Sequence, residues 1–150
     1  MNAIDLIKDD HREVERLFSE FLAAEDSEVQ QREDIFQQLE KELLAHADIE
    51  EQIFYPAVKD FMAGEIEEAI YEHQVVERML SELLAMEVED EAFEKKLIHL
   101  MEQVQHHVQE EESAGGILET ARQKLRFDQL EIMAKNMQKL KQTSIDELAA

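Results

Sequence analysis

Apolar residues recur three and four positions apart through almost the whole chain, and in four successive stripes one of those positions is a histidine. The first stripe is Ile4, Ile7, His11, Val14, Phe18 and Phe21. The second is Ile35, Leu39, Leu43, His46, Glu50 and Ile53. The third runs Ile66, Ile70, His73, Val76, Leu80 and Leu83, and the fourth Phe93, Leu97, Leu100, Val104, His107 and Glu111. Such spacing keeps one face of an α-helix apolar, and it is incompatible with the alternation of a half-buried strand. One proline and three glycines in 150 residues leave little punctuation for strands and tight turns. The chain is therefore expected to be all-α, and its length suits a single sizeable core.

The breaks between stripes set the expected architecture. Helix one is expected over 3–24, followed by a break at 24–30 in which Ser27 and Gln30 read as a capping box. Helix two should run from about 28 to the mid-fifties, where Pro56 ends or kinks it. A last short turn over 57–63 should then stop at Gly64. Helix three is expected over 65–86 and helix four over 91–113, with Asp90 as an N-cap and Gly115-Gly116 as the break beyond. Short connections between helices of this length predict an up-down-up-down four-helix bundle over 1–114. Residues 115–150 are expected to be a C-terminal helical extension, packed on the bundle or on a partner chain. Its looser stripe spans 117–141, the tail beyond Gln142 should fray, and Ser144 could cap one more short turn.

Charge and composition exclude several functions. With 37 acidic against 15 basic residues the net charge is −22, which repels phosphate backbones and attracts cations, so no nucleic-acid partner is expected. No cysteine is present, which excludes disulfides, thiolate metal sites and a cysteine nucleophile. The first residues have no basic and apolar leader pattern, and no apolar run approaches the ~20 residues that span a bilayer. The protein is expected to be soluble and cytoplasmic, with no membrane partner and its oligomeric state open.

Chemistry points to the histidines. A single core histidine is commonly a neutral imidazole with one hydrogen bond. One on the buried stripe of every helix of a four-helix bundle strains that explanation. His99 and His106 instead align with polar neighbours on helix four. A carboxylate four residues after a histidine means little in so acidic a chain. Glu50 and Glu111 differ because they continue core stripes, where an unpaired charge is costly and a bound cation removes the cost. The layer then offers four imidazoles, His11, His46, His73 and His107, and two carboxylates. If each carboxylate bridges, two ions ~3.5–4 Å apart each receive two nitrogens and two oxygens, with positions left for an oxo or hydroxo bridge and an outside ligand. Such mixed donors suit iron or manganese, with zinc and copper chemically possible. The Glu-x-x-His of ferritin-like bundles and the His-Glu-x-x-His of zinc proteases are both absent.

Four motifs in order carry a family resemblance: Asp10-His11, His46-x-x-x-Glu50-Glu51-x-x-Phe54-Tyr55-Pro56, Glu72-His73, and His107-x-x-x-Glu111-Glu112. Over roughly residues 4–112 the chain resembles the hemerythrin-like, HHE cation-binding domains. The resemblance implies a four-helix bundle around a non-haem, usually di-iron, centre. It implies one iron on His11 and His46, the other on His73 and His107, and bridges from Glu50 and Glu111. Three departures stand out. Glu77 occupies the position where oxygen-carrying hemerythrins have a second histidine on helix three. The fourth motif ends in Glu111 rather than an aspartate one residue later. Ala114-Gly115-Gly116-Ile117 replaces the usual aromatic-proline, which suggests an altered end of helix four and an entrance near the site. Glu77 is a candidate for an extra ligand, for an outer acceptor of an imidazole N–H or for a solvated residue, and Glu15 for an extra or outer ligand.

Function is accordingly expected to be binding of iron and a small ligand, dioxygen or nitric oxide, in sensing, storage or iron handling. The alternatives are a di-iron enzyme reducing peroxide or nitric oxide, and a metal-free helical interaction module.

Overall fold

The computed structural model describes residues 1–149, so Ala150, the last residue of the expected extension, lies outside it. The described chain is helical throughout, with α1 Ala3–Ala23, α2 Val29–Ile49, a π turn Glu50–Phe54, α3 Tyr55–Val58, α4 Ala63–Leu84, α5 Glu91–Glu112, α6 Ile117–Lys124 and α7 Phe127–Ala149. Two helix starts follow from capping side chains. Asn2 accepts from the Asp5 N–H at 2.9 Å while Asp5 returns a bond to the Asn2 N–H, and Asp90 accepts from the Ala92 N–H at 2.9 Å.

The buried stripes of α1, α2, α4 and α5 meet in a bundle, but they form two apolar clusters rather than one. The first joins Ile4 and Ile7 from the start of α1 to Phe54 and Val58 after α2, Ile66 early in α4, and Leu118, Leu130 and Met137 from α6 and α7. The second joins Val14, Phe18 and Phe21 late in α1 to Ile35 and Leu39 early in α2, Leu83 late in α4, and Phe93 and Leu97 early in α5. Early and late ends alternate within each cluster, as up-down-up-down packing requires. Between the clusters lie the buried polar residues Asp10, His11, His46, Glu50, Glu72, His73, His107 and Glu111.

Phe93 anchors the second cluster. Its ring stacks on Phe21 with centroids 5.7 Å apart and meets Phe36 edge-on at 5.2 Å, and it is almost wholly buried. Phe93→Ala should cost about 3–5 kcal/mol, measured as a fall in unfolding free energy in a denaturant titration. A loss under about 1 kcal/mol would contradict this packing.

Six local expectations are corrected. Ser27 does not cap α2: it sits in the preceding turn, and the residue before Val29 is Glu28, whose side chain makes no capping bond. Pro56 does not end the second helix. The backbone widens first, the Tyr55 N–H bonding to the Glu50 carbonyl five residues back, and the helical path continues to Val58. The extra residue lets a proline follow without the close ring-to-carbonyl contact of a regular helix. Gly64 is no stop either, since it lies in the first turn of α4. Finally, 117–141 is two helices parted at 125–126, and the second runs to Ala149 rather than fraying at Gln142. Contacts to the bundle hold that tail: α7 lies along α2 and α1, and Ser144, buried in mid-helix rather than capping, hydrogen-bonds Asp48 at 2.5 Å.

Candidate metal centre

His11, His46, Glu50, His73, His107 and Glu111 come together in the polar layer. The His11 and His46 rings lie 5.0 Å apart, and those of His73 and His107 4.8 Å apart. His11, His46, Glu50 and Glu111 offer donor atoms all within 4.8 Å of one another, and so do Glu50, His73 and His107. Glu50 thus belongs to both groups. Its Oε1 lies 3.2 Å from His46 Nε2 and 3.1 Å from His73 Nε2. Glu111 also faces both sides, with Oε1 3.2 Å from His11 Nε2 and Oε2 3.4 Å from His107 Nε2.

Of these contacts only His73 Nε2 to Glu50 Oε1 is a hydrogen bond. The Nε2 atoms of His11, His46 and His107, Oε2 of Glu50 and Oε1 of Glu111 are all buried without a hydrogen-bond partner. A buried polar group left unpaired costs ~1–3 kcal/mol, more if charged. Several aimed into one space would be an expensive accident. Cations between them would satisfy all five, so the residues present fit a two-metal group.

The opposite nitrogen of every ring is taken by a carboxylate. Asp10 meets His46 Nδ1 at 2.9 Å, Glu72 meets His107 Nδ1 at 2.7 Å, Glu51 meets His73 Nδ1 at 2.6 Å, and Glu112 meets His11 Nδ1 at 2.6 Å. An Nδ1–H donated to a carboxylate fixes the tautomer that leaves Nε2 free for a metal, and makes that nitrogen more basic. The first and third motifs therefore supply two inward-working residues each, and the second and fourth supply three. In each, one residue offers a donor to the centre, and its neighbour in sequence supports a histidine of an adjacent helix.

Tyr55 is a further inward group. In a regular helix a residue five positions after Glu50 points about 140° away from it. The π turn rotates Tyr55 back onto the Glu50 face, where it is 1 % exposed. Its hydroxyl donates to Glu111 Oε2 at 2.5 Å and lies 3.2 Å from Glu50 Oε1. Burial and the charges of Glu111 and Glu50 hold this phenol well above its usual range, so it keeps its proton.

Electrostatics of the metal-free layer follow from the same contacts. Burial pushes the His46 imidazole down, but the charge of Glu50 and the bond to Asp10 outweigh it and raise it to about 10. His73 and His107 are likewise raised against burial, chiefly by Glu50 and Glu111 respectively. Burial would raise Glu50, yet His46, His107 and His73 bring it well below the carboxylate range. Without a metal, protons play the cation's part.

Glu15 and Glu77 do not take the ligand or acceptor roles expected of them. Glu15 is half-exposed and pairs with Arg12 at 3.4 Å. Glu77 is exposed and edges a cavity, touching no imidazole nitrogen. Asp10, Glu51, Glu72 and Glu112 already fill the acceptor positions. His106 is 60 % exposed and pairs with Glu110 at 2.8 Å, outside the buried layer.

At the end of α5 the chain reverses sharply. A Cβ on Gly116 would fall 2.5 Å from the Glu110 carbonyl oxygen, so only glycine fits. A cleft of about 220 Å³ opens beside this turn, edged by Glu65, Glu68 and Glu110 and reaching His107 and Glu111.

An all-helical bundle with a buried imidazole and carboxylate layer between two apolar clusters defines a cation-binding helical domain. The comparisons with known proteins make this specific. The family described as Hemerythrin HHE cation binding domain matches residues 2–114. The chain belongs to this family of metal-cation-binding domains. The crystal structure of a hemerythrin HHE cation binding domain-containing protein from Mycobacterium kansasii superposes with a TM-score of 0.79 at 21% identity, covering 98% of this chain and 89% of that one. That likeness shows the fold, and it extends past residue 114 into the C-terminal helices. A DNA nickase of Nostoc sp. is 39% identical over 69 residues, which is 45% of this chain but 19% of the length of that protein. Among the described residues no helix is long and apolar enough to cross a membrane.

Proposed function

We propose that the chain is a non-haem di-iron protein that binds a small ligand, dioxygen or nitric oxide, beside its metal pair. The observation that carries this reading is a cavity of about 40 Å³ against the four histidines, walled by Val14, Leu43, Leu44, Val76, Val104 and Val108. Its volume suits a diatomic molecule or a few waters. Its walls offer almost nothing to hydrogen-bond, which favours an apolar guest over water. Four imidazoles with two shared carboxylates and no thiolate favour iron over calcium, magnesium or a sulfur-loving ion, with manganese or zinc as substitutes.

His11 and His46 would hold one ion, His73 and His107 the other, and Glu50 and Glu111 would span both. Bound there, iron would supply ligand binding and electron transfer. The chain's own groups do the rest: the valines and leucines exclude water, and the outer carboxylates keep each Nε2 aimed inward. Tyr55 holds a proton on its hydroxyl, donated to Glu111. That buried proton is the one feature favouring the second reading, an enzyme that reduces peroxide or nitric oxide and must deliver protons.

The test is elemental analysis of purified protein with optical spectra under argon, oxygen, nitric oxide and peroxide. Two irons per chain and a band that comes and goes with oxygen or nitric oxide are expected. Steady consumption of peroxide or nitric oxide would favour the second reading, and protein that takes up no metal would sink both. Val104→Phe, which fills the cavity, should keep the metal and weaken ligand binding at least tenfold, at a packing cost of ~1–3 kcal/mol. Unchanged ligand binding in that variant would remove the cavity from the argument.

A further inference from the structure

The carboxylates behind the two metal positions differ in what stands behind them. On the His11 and His46 side, both are paired with cations. Asp10 receives Lys141 Nζ on Oδ1 at 2.7 Å while its Oδ2 meets His46 Nδ1 at 2.9 Å. Glu112 meets Arg12 through the same Oε2 that faces His11. On the His73 and His107 side, Glu51 and Glu72 have no lysine or arginine ion pair among the described residues. Glu72 has only the exposed His106 at 3.7 Å.

Lys141 belongs to α7, beyond the 2–114 span of the family match. Its side chain is 21% exposed and also reaches Glu42 of α2 at 3.0 Å, so it is clamped between α1 and α2 beneath its own helix. As a fastener for α7 alone, a partly exposed ion pair contributes little. Its position does something more specific. Asp10 is 5% exposed and divides its two oxygens between one ammonium and one imidazole. Charge drawn toward Lys141 is charge withheld from the His46 N–H, so His46 becomes a poorer electron donor than the histidines across the layer.

We propose that Lys141 is a positioning residue of the metal centre: acting through Asp10 and His46, and with Arg12 through Glu112 and His11, it makes the His11/His46 position the harder of the two to oxidise. This rests on the di-iron reading above. Removing the Lys141 charge strips a cation from that side and frees Asp10 to accept more strongly, and both changes stabilise the more highly charged ion there. The two one-electron steps then move closer together.

The experiment is a redox titration of the iron-loaded full chain with ferricyanide and dithionite, following the half-oxidised pair by electron paramagnetic resonance. Lys141→Met should lower the later step alone, so that the constant for forming the half-oxidised pair drops about tenfold, which is 59 mV for one electron. Lys141→Arg should restore it, and Arg12→Met should shift the same step. Lys139→Met removes the same charge from an exposed place on α7 and should leave both steps unmoved. Melting of the metal-free Lys141→Met and Lys141→Gln proteins checks that α7 stays folded. Unmoved steps in a folded Lys141→Met, or an equal shift with Lys139→Met, overturn the proposal while leaving the iron reading intact. Wild-type protein that loads no iron pair overturns both.

Discussion

If the centre holds two ions as proposed, Glu50→Ala will strip it of most of its metal. Glu50 is wholly buried and is the one residue common to both donor groups. Losing an outer partner of a metal-binding histidine costs ~10–100-fold in affinity, and losing a shared donor should cost more at each position. Metal per chain after dialysis should fall from two to below one, with Glu50→Gln as the near-isosteric check that the fold persists. His106→Ala should retain both ions, since its ring lies outside the layer. A Glu50→Ala protein holding two tightly bound ions would mean that the donors are misassigned.

Metal binding will rise steeply with pH. In the metal-free fold His46 keeps its proton to about pH 10, and His73 and His107 are raised as well, so a metal arriving at neutral pH must displace protons. Each displaced proton makes affinity about tenfold stronger per pH unit. Competition against a chelator from pH 6 to 8 should therefore give a slope of at least about one proton, and calorimetry in buffers of different ionisation enthalpy should register their release. A flat profile would refute the protonated layer. Stability of the metal-free protein should run the other way. His46 is raised above its unfolded value of 6.5, so its contribution is whole below that pH and drains away as pH rises through about 10. Glu50 is lowered, so its contribution is present above its unfolded value of 4.5 and is lost as acid protonates it. The melting temperature without metal should peak between these limits and fall toward alkali.

Much of this was written openly in the chain. The all-helical fold and the bundle followed from stripes whose period nothing contradicted, and the six inward residues stood out because they interrupt those stripes. The four supporting carboxylates stood in the motifs, but their role did not show. Each lies next to an inward residue, about 100° around the helix, and in a chain with 37 acidic residues it resembles the solvated face. Tyr55 was hidden for another reason, because the π turn changes the count of residues per turn on which any stripe depends. Lys141 was hidden because the pattern of a fifth helix says which side is apolar, not which neighbours it covers. Glu77, one turn after His73, edges the cavity beside the histidines without touching an imidazole nitrogen, so spacing alone could not assign it a role.

The exchange of supports between helices also says how the molecule is put together. Asp10 to His46 is internal to the pair α1 and α2, and Glu72 to His107 is internal to α4 and α5. Glu51 to His73 and Glu112 to His11 then cross from one pair to the other in both directions. The same pattern of supports thus occurs in both hairpins, α1 with α2 and α4 with α5. On the two-metal reading proposed above, that repetition offers two similar positions. Lys141 of the C-terminal helix, together with Arg12 of α1, would make those positions unequal.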